Sequence, residues 1–386
     1  GQRLADLDIV GAEVLLPEGL AQAPLSVAAG CVADRPCGRQ VDLTGYRVLP
    51  GIIDVHGDGF ERHLAPRRGA MKEMGEGLVA AEAELAANGI TTGVLAQFVS
   101  WEGGVRGEDF AAQVFGAIRD TAPSLVTDLR AQLRLEVHLL HLYDDLPEMI
   151  EDWQVDYVVF NDHLPHDRLA DGRHPPRMVG QALKAGRNPE VHFQMLLDMH
   201  AQSDQVPQAL DTLCKRLNSN GLRLGSHDDS TAEQREIWRS RGAQIAEFPE
   251  TIEAAEAAQA GGDLVVLGSP NVVRGASHKG NVSALDVIAM GLCDALASDY
   301  HYPSPRRAAL MLARSGVLSF ADAWGLVSSG PAKVLALDDR GILAPGKRAD
   351  LVILDAKTDR VAATMVAGRF SYMNGGIAER FVNLRD

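Results

Sequence analysis

Residues 52–58 read Ile52-Ile53-Asp54-Val55-His56-Gly57-Asp58, and residues 293–299 read Cys293-Asp294-Ala295-Leu296-Ala297-Ser298-Asp299. Each is a short apolar run that ends in side chains able to bind a metal or move a proton. Six further runs lie between them, over 91–96, 133–138, 155–161, 222–226, 244–248 and 264–269. Helical patterns separate most of these runs. Over 206–217, for example, Leu210, Leu213 and Leu217 recur at a spacing of three to four residues and mark one face. Strands alternating with helices build a parallel sheet. Eight such units predict an α/β fold, a (β/α)8 TIM-like barrel, with a doubly wound open sheet as the competing architecture.

Outside these units the pattern changes. Residues 1–50 read as short β segments over 7–16, 25–32 and 41–48, broken by Gly and Pro, with no helical period. The tail from Gly341 has the same character: a Pro345-Gly346 turn, the run Leu351-Val352-Ile353-Leu354, and a strand pair over 363–372. The two ends, 1–50 plus 341–386, are expected to form one small β-sandwich domain, leaving 51–340 as the barrel.

Composition narrows the functional classes. Lys and Arg number 37 against 52 Asp and Glu, a net charge of −15, so the surface as a whole repels polyanions and nucleic acid is not an expected partner. A small phosphorylated substrate remains compatible, because a local basic cluster in a cleft can reverse the field there. The four cysteines show no C-x-x-C spacing, which suits a reducing cytoplasm. No stretch approaches 18 uninterrupted apolar residues, so no membrane association is expected. A homo-oligomer is left open.

In a barrel of this kind the active site lies at the C-terminal strand ends. There the runs offer His56 and Asp58, then Glu136 and His138, Asn161-Asp162-His163, Ser226-His227-Asp228-Asp229, and finally Asp299. Imidazole and carboxylate suit Zn²⁺, Mn²⁺ or Fe²⁺. A lone strand-end His or Asp is more often a cap or a loop bond, but nearly every run ends this way. Asp228 and Asp229 precede a helix expected near Thr231, so one of them is expected to be its N-cap. A second constellation is the Gly-rich stretch 268–281, read as a loop, whose Asn271, Arg274, His278 and Lys279 suit phosphate oxygens. The basic run Arg62, His63, Arg67 and Arg68 either extends that pocket or is solvated surface.

Taken together, PGIIDVHGD, ERHLAPRRG, NGITT, NDH, SHDDST, AEFPETIEAAEAA, GSPNVVRGASHKGNVSA, ASDYHYPS and GKRADLV resemble the amidohydrolase superfamily. Within it they are most similar to the PhnM-like diphosphatases. The resemblance implies one or two divalent ions, zinc first, with manganese or iron also suited, held by His56, Asp58, Glu136, His163 and His227. It places Glu136 where other superfamily members have a carboxylated Lys, and Asp299 as the group that takes the proton. It implies hydrolysis of α-D-ribose 1-methylphosphonate 5-triphosphate to the 5-phosphate and pyrophosphate. One departure stands out: His56-Gly57-Asp58-Gly59 occupies the place of a usual HTDN. An amide hydrolase or deacetylase is the alternative enzyme, and a non-catalytic scaffold the alternative of another class.

Overall fold

The computed structural model describes residues 6–65, 73–275 and 283–382. The chain divides into two compact units: Gly1–Leu95, Thr121–Arg130 and Val266–Asp386 in one, Ala96–Asp120 and Ala131–Val265 in the other.

Eight strands follow one another as hydrogen-bonded neighbours in chain order: Ile52–Gly57, Ile90–Val99, Asp128–Glu136, Tyr157–Asn161, Arg223–His227, Ala243–Glu247, Leu264–Gly268 and Ala295–Ala297. The first and second, third and fourth, fourth and fifth, fifth and sixth, and seventh and eighth strands pair in parallel. The first strand and the last meet through a parallel bridge between Gly57 and Asp299. There the Asp299 amide donates to the His56 carbonyl at 3.0 Å and the Asp58 amide to the Asp299 carbonyl at 2.7 Å. The sheet is a (β/α)8 barrel. All eight expected runs are strands, with ends shifted by a few residues.

The reason they were readable is physical. A strand covered on both faces carries apolar groups on both, so it appears as a continuous run instead of an alternation. All ten residues of Ile90–Val99 and all five of Tyr157–Asn161 are buried. Helices intervene as expected. Val206–Ser219 starts with Pro207 in its first turn, where a missing N–H costs nothing, and buries Leu210, Leu213 and Leu217 on one face.

The chain ends form two further sheets. One has four strands drawn from residues 7–42; the other has six, from residues 13–50 and 351–373. They share one apolar core that includes Ile9, Val27, Val41, Val48, Ile353 and Met365. The expected segment 7–16 is two strands, Leu7–Val10 and Glu13–Leu16. The break is at Gly11, with φ +79° and so little room that a Cβ would lie 2.4 Å from Thr44 Oγ1.

Two expectations fail locally. The stretch 268–281 is not wholly a loop, because Ser269–Arg274 is a short helix that begins with Pro270 in its first turn. The cap of the helix Ala232–Ser240 is neither Asp228 nor Asp229. Thr231 caps it, accepting from the Gln234 amide while the Gln234 side chain reaches back.

Candidate metal and active site

In the first unit the site starts from the strand Ile52–Gly57, where every residue is buried. The two-residue step of an extended chain turns Asp54 and His56 to one side. Asp54 Oδ1 accepts from the Ser298 amide at 2.8 Å, and its Oδ2 accepts from the Ser298 hydroxyl. Burial pushes the Asp54 carboxyl up, against the two Ser298 hydrogen bonds. His56 Nε2 lies 3.9 Å from Asp299 Oδ1. His56, Asp58 and Asp299 each offer one donor atom within 4.8 Å of the others, a group that could hold a metal ion. Asp299 has φ +55°, a left-handed conformation that non-glycine residues rarely adopt, and such strain concentrates at functional strand ends.

In the second unit Gln132, Arg134 and Glu136, from the strand Asp128–Glu136, are all buried and spaced by two. Glu136 accepts from the His163 amide at 3.1 Å, and its Oε1 lies 3.2 Å from His163 Nδ1. The other ring nitrogen of His163 faces Asp228 Oδ2 at 3.6 Å. His227 Nδ1 lies 3.0 Å from Asp228 Oδ1. His163, His227 and Asp228 thus form a second group with metal-binding spacing. Asp228 also has a positive φ, +63°.

The electrostatics of this group follow from its packing. Burial pushes the Glu136 carboxyl up to about 7, opposed by His163. Burial and the nearby Arg134 guanidinium hold the His227 imidazole down. Arg134 stacks 3.9 Å over the Phe98 ring and places a nitrogen 3.2 Å from His227 Nε2. Asp228 is held low: burial opposes this, but His227 and His163 outweigh it. His163 is raised despite burial, through Asp228 and Glu136. The group therefore contains a neutral-leaning imidazole, an ionised carboxylate and a carboxyl poised near neutrality.

Within their own units, the expected site residues are brought together as follows. His56, Asp58 and Asp299 form one group; His163 and His227 meet in the other, with Glu136 against His163. Asn271 and Arg274 sit on the helix Ser269–Arg274, where the exposed Arg274 donates to the Tyr300 hydroxyl and lies over its ring. His278 and Lys279 lie outside the described residues, as do Arg67 and Arg68. Arg62 and His63 are both engaged by Glu84.

Of the pair Asp228 and Asp229, Asp228 joins His163 and His227 as a candidate ligand, while Asp229 is occupied by Ser226 and Arg235. One strand-end residue is absent from the sequence expectations. Glu247 ends the sixth strand fully buried and accepts from Gln132 at 2.9 Å and the Tyr157 hydroxyl at 2.6 Å. The strand-end rule that found Glu136 applies equally to Glu247.

The Amidohydrolase family profile matches residues 68–372. The chain is 32% identical over 331 residues to the alpha-D-ribose 1-methylphosphonate 5-triphosphate diphosphatase of Escherichia coli (strain K12), covering 83% of this chain and 86% of that protein. Among solved structures it is similar to N-acetylglucosamine-6-phosphate deacetylase from Pasteurella multocida. The TM-score is 0.63 at 12% identity, over 96% of this chain and 100% of that one. It is also similar to a Xaa-Pro dipeptidase with bound methionine, with a TM-score of 0.65 at 13% identity over 96% and 100%. These structural likenesses support the fold. The barrel, the strand-end His and carboxylate groups and the sequence matches lead to one conclusion: the chain is a hydrolase that belongs to the amidohydrolase family.

Proposed function

We propose that this hydrolase cleaves α-D-ribose 1-methylphosphonate 5-triphosphate to the 5-phosphate and pyrophosphate, in a metal-dependent reaction. The observation that carries the reading is the 32% identity, across 83% of the chain, to the Escherichia coli diphosphatase. The donor chemistry fits a divalent ion, since both groups mix imidazole nitrogen with carboxylate oxygen at ligand spacing. We assign His56, Asp58, Glu136, His163 and His227 to hold one or two such ions, and add Asp228. Zinc is the first choice. When bound, the metal lowers the pKa of a coordinated water and neutralises phosphoryl charge.

This chain's own residues then divide the work. Burial and Arg134 together hold the His227 pKa down, which favours the neutral imidazole that a metal would need. Asp299 accepts the proton of the water that attacks phosphorus, as the bond to the departing pyrophosphate breaks. Asn271, Arg274, His278 and Lys279 are assigned to the phosphate oxygens, where an amide and positive charges would stabilise charge as it builds. The substrate class is a small phosphorylated molecule. Residues 1–50 plus 341–386 are proposed as one domain and 51–340 as the catalytic one.

Phosphorus NMR of metal-loaded protein tests the reading. Three substrates are compared: the ribose methylphosphonate triphosphate, a nucleoside triphosphate, and an N-acetyl amino sugar phosphate followed by acetate release. Pyrophosphate from the first is expected. Acetate from the third with no pyrophosphate from the first overturns the proposal in favour of amide hydrolysis. Asp299→Asn should keep its metal and lose turnover by about 10²–10⁴-fold, the range of a general acid–base contribution. Unchanged turnover removes Asp299 from that role.

A further inference from the structure

A second histidine-rich cluster in the unit Ala96–Asp120 plus Ala131–Val265 shares no donor with the groups assigned above. His138 follows the third barrel strand by two residues, Asp162 follows the fourth, and His166 opens the short helix His166–Ala170. Each offers a donor atom within 4.8 Å of the other two. His166 Nε2 lies 2.9 Å from Asp162 Oδ2, and His138 Nε2 lies 3.0 Å from Asp162 Oδ1.

Two observations separate this cluster from an ordinary solvated ion-pair network. The first is His138. Its side chain is only 3% exposed, its Nε2 meets the Asp162 carboxylate, and its Nδ1 has no hydrogen-bond partner among the described residues. A buried imidazole nitrogen left unsatisfied is costly unless something else pairs with it. The second is His200, on the helix Pro189–Ala201, whose Nδ1 lies 2.9 Å from His166 Nδ1. Ligating histidines usually use one ring nitrogen for the metal and donate the other N–H to an outer partner that fixes tautomer and ring orientation. His166 is arranged in that way, with Nε2 towards Asp162 and Nδ1 towards His200.

We propose that His138, Asp162 and His166 bind a further divalent first-row metal ion, with His200 as the outer partner of His166. Two imidazoles and one carboxylate leave at least one coordination position for water or an incoming ligand. His138 also lines a cavity of about 530 Å³, together with Leu140, Met195, Asp198 and Met199, through which exchange can occur. The site is independent of the reaction proposed for the barrel.

The test is binding, not turnover. Full-length protein is stripped with chelator and titrated with Co²⁺, followed by visible absorption, and with Zn²⁺, followed by equilibrium dialysis and elemental analysis. Wild type should bind one equivalent more than His166→Ala, and that equivalent should persist in His227→Ala, which alters only the assigned catalytic group. His200→Ala should retain the stoichiometry but weaken that equivalent about 10–100-fold, the usual cost of losing an outer partner. Equal stoichiometry in wild type and His166→Ala overturns the site. If circular dichroism shows His166→Ala to be unfolded, His200→Ala decides, and an isotherm identical to wild type overturns the proposal.

Discussion

Gly57 has no room for a side chain. A Cβ there would lie 2.6 Å from Asp54 Oδ2 and 2.7 Å from Ser298 Oγ, and those two groups are buried and bonded to each other. Gly59 is similarly confined, with Tyr302 Cε2 at 3.0 Å. The departure from HTDN is therefore a packing choice: the Asp54–Ser298 pair and the Tyr302 ring occupy the space that larger side chains at 57 and 59 would need. Gly57→Ala is predicted to destabilise the protein by about 1–3 kcal/mol, the usual cost of overpacking a filled core. Urea denaturation measures it. A variant as stable as wild type would mean that the Asp54–Ser298 contact yields easily. That outcome would return the HTDN comparison to a question of metal chemistry.

At the scale of single elements, strand alternation puts Arg134 between Gln132 and Glu136 and beside His227. Burial and Arg134 both lower the folded-state pKa of His227. A base with a depressed folded pKa favours folding when neutral, so this contribution is fully present above the unfolded value and is lost as pH falls from there through the lower folded value. In Arg134→Met burial remains but the cation is gone. The His227 midpoint in metal-free protein should rise, as read by NMR titration of its ring protons, and an unmoved midpoint excludes Arg134 as a cause.

The helix Ala232–Ser240 gives a second test. Its Arg235 is fully buried, with Asp229 at 3.3 Å and Asp263 at 3.3 Å. Arg235→Ala leaves Asp229 buried without its cation, held only by the Ser226 hydroxyl, while Asp263 keeps Arg239, and should cost about 3–5 kcal/mol in urea denaturation. A loss below about 1 kcal/mol would show that water or protonation relieves Asp229. Neither Arg134 nor Arg235 was legible in the sequence, where a charged residue in a strand or on a polar helix reads as exposed. The strand ends were legible, because doubly covered strands stop where polar groups begin. His163 meets Glu136 because neighbouring parallel strands end together. Asp228 was only half legible: in Ser226-His227-Asp228-Asp229 spacing cannot sort a ligand from an Arg partner, and the +63° φ that separates their directions leaves no compositional trace. The helix Ser269–Arg274 was missed because six residues with Pro270 and flanking glycines carry too short a period to stand out from a loop.

Across the whole molecule, apolar packing and the proposed metal chemistry rest on different residues. The barrel strands bury Leu133, Leu135, Val158, Val159, Val265 and Val266, and the terminal sheets close over Ile9, Val27, Val48 and Ile353. None of these depends on an ion. The net charge of −15, by contrast, is an excess of carboxylates that divalent cations offset where they bind. Chelator treatment is therefore predicted to leave far-UV circular dichroism unchanged while abolishing turnover. The melting temperature should fall by several degrees, because a ligand present at about 100 times its Kd adds about 2.7 kcal/mol to the folded state. Turnover should return on adding Zn²⁺. Glu136, pushed up to about 7, gives this recovery a direction. A raised carboxyl holds its proton below that pH and must release it to bind metal, as must the raised His163, so Zn²⁺ uptake should strengthen as pH rises towards and through 7. Turnover that survives complete metal removal would overturn the metal-dependent reading, whatever substrate is used. Loss of secondary structure on removal would show that the ions hold the barrel together as well.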